Sequence, residues 1–395
     1  MKRRSYYRLP AGVQDLLPDE CYNLNLIEKK LEEKFMLAGC SRVQSAALEY
    51  YDTYAEIKNK IPQKKMFKLT DGDGSLLVLR PDMTLAVARM AATSPLALPA
   101  KLCYFSNVWD YAGAGSYTIR EIYQAGVEFL GRSGAFSDAQ AIAFAIECLQ
   151  AIGLKDFIID VGHAGFFKGI LQECDLDGDA VEEVRLLVNA KDAPGAQALL
   201  EKYGAPRRAA DALAALPTLF GGEEVLSRAE KYAGSPAARE ALDRLKRVYA
   251  LLKDFGLEKY VSFDLGTVKD LSYYSGVVFT GLTRSIGSPI LSGGRYDNLA
   301  DDFGRHVPAV GFAMGLKRIL LALERQGALR PAAPRADVVI FSEEGAETKA
   351  YQAYLELTAA GRRVDLAAGD AKEAETLKNA GMVVLKATKK GVEKI

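Results

Sequence analysis

The chain has 395 residues, 49% of them hydrophobic and 26% charged, the proportions of a soluble globular protein with two or three compact units. Lys+Arg and Asp+Glu both total 51, so the formal net charge is zero and composition lacks the basic excess of a dedicated tRNA binder. The basic start, MKRRSYYRLP, lacks the apolar stretch of a signal peptide, and no run is long enough to cross a bilayer, so a cytoplasmic protein without membrane attachment is expected.

Apolar positions Leu24, Ile27, Leu31, Phe35 and Leu37 recur at helical spacing and predict a helix over 20–39, closed by Gly39. Met66–Leu69 and Leu76–Leu79 flank Asp71-Gly72-Asp73-Gly74, a hairpin signal. Leu102–Trp109 and Ile122–Leu130 read as two further strands. An apolar helix over 135–152 and a strand over Phe157–Val161 follow.

Residues 168–258 are rich in Ala, Leu, Glu, Lys and Arg without strand alternation, which predicts a helical insertion. Strands are expected again at Tyr260–Leu265, Ser272–Thr280 and Ser288–Leu291, then a helix over 315–325. The stretch ALRPAAPRA marks a linker, placed at residues 326–335. Residues 336–395 have the pattern of a small βαβαβ unit, and the lysines Lys386, Lys389, Lys390 and Lys394 read as a solvated tail.

The five cysteines (Cys21, Cys40, Cys103, Cys148, Cys174) include no C-x-x-C pair, so buried free thiols are expected rather than a metal site or disulfides. No P-loop, H-E-x-x-H or G-x-S-x-G string occurs, and no cofactor is expected.

Six longer strings stand in order: PAGVQDLLPDE (10–20), LRPDMT (79–84), REIYQAGVEFLG (120–131), LSYYSGVVF (271–279), LSGGRYDNL (291–299) and GFAMGLKRI (311–319). Together they resemble the catalytic core of histidyl-tRNA synthetases and their paralogues. The resemblance covers residues 6–325, with the helical insertion in its expected place. It implies an α+β fold of the class II synthetase type, a mostly antiparallel sheet flanked by helices, and a dimer. Ala46 stands where the family's dimer motif has a proline. By position, the family's histidine pocket maps onto Asp82 and Thr84 near the amino group, with Gln124, Glu128, Tyr273 and Tyr274 lining the rest. A carboxylate suits an ammonium, and a second carboxylate suits an imidazole N–H.

The departures from the synthetases concern charge on the adenylating phosphate. Class II enzymes place an Arg there in a string like F-R-Y-E, whereas this chain reads Val108-Trp109-Asp110-Tyr111-Ala112. A carboxylate beside a phosphate reverses the interaction, and losing one preorganised donor alone costs about 100- to 1,000-fold in rate. A second string like R-G-L-D-Y-Y is here Lys269-Asp270-Leu271-Ser272-Tyr273-Tyr274, and lysine lacks the bidentate fork of arginine. Arg318 alone matches the family's ATP-binding arginine.

Residues 160–171, DVGHAGFFKGIL, carry the Gly-His-hydrophobic-Gly string that resembles the regulatory subunits of ATP phosphoribosyltransferase. His163 marks that branch without a catalytic role. The resemblance thus implies a chain with no catalytic residues that serves histidine biosynthesis. Its partner would be a short-form catalytic ATP phosphoribosyltransferase subunit, with histidine as the candidate effector. The alternatives are a divergent histidine–tRNA ligase and an amino-acid- or tRNA-mimic-binding module with another partner.

Overall fold

The computed structural model describes residues 8–57, 61–111, 119–174, 176–267, 273–330, 336–367, 371–379 and 381–395. The chain divides into two compact units, Met1–Leu329 and Arg330–Ile395.

The larger unit opens with helix α1 (Pro18–Leu37). Pro18 sits in its first turn, where its missing N–H is no loss, and Glu20 accepts the N–H of Leu17 at 2.8 Å. Leu31 and Phe35 are fully buried on its inner stripe, each worth about 1.5–3 kcal/mol against exposure. Then come β1 (Ser41–Arg42), β2 (Leu48–Tyr50), α2 (Tyr51–Ala55), β3 (Phe67–Thr70) and β4 (Leu76–Leu79). The predicted hairpin is β3 and β4, antiparallel with Phe67 opposite Leu79, and β2 completes this small sheet.

The second half of the framework holds α3 (Met83–Thr93), β5 (Ala100–Trp109), β6 (Glu121–Leu130), α4 (Ala135–Ala151), β7 (Ile158–His163) and α5 (Ala164–Leu171). The segment that reads as a helical insertion contains α6 (Gly178–Asn189), α7 (Ala193–Lys202), α8 (Arg207–Ala215), β8 (Phe220–Gly221), α9 (Glu224–Ala229) and α10 (Pro236–Asp254). The two-residue strand β8 corrects the all-helical expectation. Two residues are too short to show alternation, and β8 exists only because it pairs with the next strand.

That strand is β9 (Val261–Asp264), followed by β10 (Val277–Thr283), β11 (Ile286–Arg295), β12 (Ala309–Gly315) and α11 (Leu316–Arg325). Strand β12 was not among the expected strands. Its Gly311 and Gly315 carry little strand propensity, yet it lies inside the large sheet, between β6 and β11. Helix α3 was also missing from the expectation. The expected strand over Ser272–Thr280 begins at Val277 instead.

The large sheet runs β1-β5-β6-β12-β11-β10-β7-β9-β8, antiparallel except at β1·β5 and β7·β9. Period-two alternation divides its two faces. Cys103, Val127, Phe129, Phe312 and Phe279 belong to one apolar core with α1, α4, α11 and the insertion. Leu102, Tyr104, Leu130 and Tyr296 belong to another, with Met83 and Leu85 of α3 and Tyr54 of α2.

The smaller unit comprises β13 (Val338–Ser342), α12 (Glu347–Ala359), β14 (Val364–Ala367), α13 (Ala371–Asn379), β15 (Val383–Thr388) and β16 (Gly391–Lys394), in sheet order β14-β13-β15-β16. The expected tail is instead a hairpin: Lys386 lies on β15, Lys389 and Lys390 in the exposed turn, and Lys394 on β16, a fourth strand antiparallel to β15. Val338 and Ile340 pack under Ala350 of α12, while Val339 and Phe341 pack with Ala374 of α13.

No described helix is long and apolar enough to cross a membrane. All five cysteines are free. Cys103, Cys148 and Cys174 are buried as expected, but Cys21 is exposed and Cys40 half-buried.

Candidate functional site

A cavity of about 110 Å³ opens on the α3 face of the large sheet. Five of the six sequence-predicted residues line it: Asp82, Thr84, Gln124, Tyr273 and Tyr274. Tyr104 and Tyr296 join them, and neither stood among the predicted site residues.

Glycine clears the floor. Gly126 pairs with Tyr104 across β5·β6, and a Cβ on it would lie 2.2 Å from the Tyr104 ring. Gly311 pairs with both Glu128 and Gly294, and a Cβ there would lie 1.7 Å from Glu128 Oε2. A Cβ on Gly294 would lie 2.7 Å from the Tyr274 ring. Large polar side chains can thus lie flat over the backbone of neighbouring strands, an approach only glycine permits.

Glu128, the sixth predicted residue, does not line the cavity; it lies beneath it, 1% exposed. Its Oε2 accepts the Tyr296 hydroxyl at 2.5 Å, and its Oε1 accepts Thr84 Oγ1 at 3.1 Å and the Tyr104 hydroxyl at 3.5 Å. Burial pushes the Glu128 carboxyl up to about 8. The Tyr296 hydroxyl pulls against that shift, and the nearby Asp82 carboxylate adds to it. A carboxyl that keeps its proton at neutral pH can donate as well as accept. Tyr104 and Tyr296 are raised well above the usual phenol range, first by burial and then by Glu128.

Asp82 caps α3, its Oδ1 accepting the N–H of Leu85 at 2.7 Å. The cap fixes its carboxylate at the cavity mouth and places Thr84 one step into the helix. The Tyr273 and Tyr274 rings meet at a tilt of 46° with centroids 4.5 Å apart, and Lys168 of α5 donates to the Tyr274 carbonyl at 3.0 Å. A carboxylate, a carboxamide and several hydroxyls around a small enclosed volume suit a small donor-rich ligand such as an amino acid.

Asp110, just past the end of β5, is half-buried, its N–H bonded to the Arg120 carbonyl at 3.0 Å, and it does not border the cavity. Arg318 is half-buried on α11, donates to the Pro289 carbonyl at 2.9 Å, and is likewise absent from the lining. Ala112, Lys269, Asp270, Leu271 and Ser272 lie outside the described residues. Among the described residues no group of three or more His, Cys, Asp or Glu side chains could hold a metal ion.

The family model of histidyl-tRNA synthetase matches residues 12–319. An ATP phosphoribosyltransferase regulatory subunit from Acetivibrio thermocellus is 40% identical over 342 residues, which is 86% of this chain and 82% of that protein. One from Thermoanaerobacter pseudethanolicus is 40% identical over 319 residues, 80% of this chain and 83% of its own. A crystal structure described as an ATP phosphoribosyltransferase regulatory subunit/histidyl-tRNA synthetase from Bacillus halodurans C superimposes with a TM-score of 0.82 at 29% identity, covering 97% of this chain and 98% of that one. The α+β fold of the class II synthetase type, expected from the six strings, agrees with these likenesses.

Proposed function

The chain belongs to the histidyl-tRNA synthetase family and, within it, to the ATP phosphoribosyltransferase regulatory subunits, and we propose that it binds histidine without activating it and passes that state to a catalytic partner. The partner is a short-form catalytic ATP phosphoribosyltransferase subunit, and the output is feedback control of the first step of histidine biosynthesis.

The observation that carries this reading is the cavity itself. An amino-acid-sized space keeps Asp82, Thr84, Gln124 and Tyr274 on its wall and Glu128 under its floor. Asp82 takes the ammonium of the ligand, and Glu128, with its attendant hydroxyls, takes the imidazole N–H. Asp110 supports the absence of adenylation, because a carboxylate there repels the α-phosphate that an arginine would hold. Regulation follows by linkage only if histidine binds the active and inhibited assemblies with different affinity.

Self-association as a dimer belongs to the same reading. Leu37 at the end of α1, together with Phe136 and Phe255, exposes large apolar surface around one groove, a fit for the same surface of a second copy.

The test is inhibition of the assembled enzyme by histidine. Asp82→Asn removes a charge-assisted contact worth about 1.5–3 kcal/mol, so inhibition should weaken roughly 10- to 150-fold, and Glu128→Gln, which alters the hydrogen bonds of Thr84, Tyr104 and Tyr296 beneath the floor, should weaken it less, while uninhibited turnover stays near wild type in both. Unchanged inhibition in folded, assembled variants would place the effector elsewhere. Histidine-dependent pyrophosphate exchange with ATP by the purified chain would instead restore the ligase reading.

A further inference from the structure

A second cavity, about 530 Å³, opens where α10 of the insertion meets the start of α5, with His163, Arg244, Arg247, Ser275, Arg295 and Asp297 on its wall. Its hydrogen-bond bookkeeping is lopsided. Two buried or half-buried carboxylates at its base, Asp138 behind the wall and Asp297 on it, are spent on protein groups. Asp138, 0% exposed, accepts Arg295 Nε at 2.6 Å on one oxygen and Arg244 Nε at 2.8 Å on the other. Asp297 Oδ1 accepts Arg295 Nη1 at 2.8 Å and the N–H of Ala309 at 3.0 Å.

Donors remain. Arg295 is 3% exposed, and its Nη2 has no hydrogen-bond partner among the described residues. A buried guanidinium N–H left without an acceptor is destabilising, so its persistence calls for an acceptor that the fold does not supply. Arg244 engages Asp138 through Nε and also lines the cavity, so its terminal nitrogens are not used by that ion pair. His163 Nδ1 accepts the N–H of Gly165 at 3.0 Å, so the neutral ring carries its proton on Nε2. The α5 amides themselves offer little, since Ala164 N–H already bonds the Gly276 carbonyl and Gly165 N–H bonds His163.

From this surplus of convergent donors we propose that the cavity is a second ligand site, for a phosphate-bearing anion held by Arg295, Arg244 and His163 Nε2–H, with Arg247 at its mouth. Donors arriving from separate elements suit a tetrahedral oxyanion with three acceptor oxygens better than a planar carboxylate, which one arginine fork can satisfy. The electrostatics agree: burial holds His163 down to about 4, with Arg244, Arg295 and Lys168 pressing the same way, so the ring is neutral in a positive surrounding. Glu240 and Asp243 stand exposed on the rim, where solvent screens them, and they tune the affinity downwards.

Titration calorimetry of the purified full chain with inorganic phosphate and pyrophosphate tests this, with malonate as the planar dicarboxylate comparison. Saturable phosphate or pyrophosphate binding is expected, with malonate at least tenfold weaker. Arg244→Gln should weaken pyrophosphate roughly 10- to 150-fold. Exposed Arg247→Gln should weaken it a few-fold without altering the melting temperature, and Glu240→Gln should strengthen it. Asp82→Asn, in the other cavity, should leave it unchanged. No saturable heat up to about 1 mM pyrophosphate, equal binding by both arginine variants and wild type, equal binding of malonate, or loss in Asp82→Asn would each overturn the assignment.

Discussion

Tyr274 and Gly294 border the smaller cavity, while their chain neighbours Ser275 and Arg295 border the larger one. Strand alternation on β11 sends Gly294 and Arg295 to two sites of opposite chemistry, and the segment just before β10 divides Tyr274 from Ser275 in the same way. Around Glu128 the neighbours are hydroxyls and another carboxylate, so burial wins and the carboxyl holds its proton to about 8. Around Asp138 the neighbours are two guanidinium groups, which meet a fully buried carboxylate with opposite charge. Two buried acids in one domain therefore have different work, and the difference lies in their partners rather than in their depth.

The sharpest way to break this contrast is to remove the acid on the arginine side. Asp138→Ala leaves Arg295 buried with only Asp297 and the Arg132 carbonyl, and should cost about 3–5 kcal/mol of stability, read as a large fall in denaturation midpoint. A variant that melts with wild type would show that the ion cluster is dispensable.

The glycine floor comes next. Gly311→Ala sets a methyl 1.7 Å from Glu128 Oε2 and should cost about 1–3 kcal/mol and remove measurable histidine binding. Gly276→Ala, whose Cβ would meet Arg295 Cδ at 3.0 Å, should be milder and leave histidine binding in place. Similar losses of histidine binding in both would erase the distinction between the cavities.

The gentlest probe is pH, because the two sites titrate in opposite directions. Glu128 binds its proton more tightly in the folded chain than in the unfolded one. Its stabilising contribution is full below 4.5, fades as pH rises and is gone above about 8. His163 binds its proton less tightly when folded, so its contribution is full above 6.5 and fades as pH falls towards about 4. Denaturant midpoints followed across this range should flatten on the alkaline side in Glu128→Gln and on the acid side in His163→Asn. Profiles parallel to wild type in both variants would show that neither group is linked to folding.

Much of the framework was legible in the chain. Helical periodicity located α1 and α4, the Asp/Gly turn located β3 and β4, and the LRPDMT, REIYQAGVEFLG and LSYYSGVVF strings held every predicted residue that the fold gathers at the small cavity. Tyr104 was not legible there, because its role depends on Gly126 lying opposite it on another strand. Tyr296 stood inside a quoted string, LSGGRYDNL, but nothing local shows that its hydroxyl meets Glu128 at a sequence distance of 168. Asp138 was hidden for a simpler reason, being one of two acids in a mostly apolar helix.

Local pattern and motif order are properties of neighbouring residues, so the sequence alone determined the class of fold, the helical insertion and the residue types available for a small polar pocket. It could not decide which of those residues face the ligand. Glu128 went under the floor because Gly311 opposite it opens space there and three hydroxyls converge on its oxygens. The second cavity depends still more on tertiary structure. Asp138, Arg244 and Arg295 come from α4, the insertion and β11, and their charges gain meaning only when burial removes the water between them.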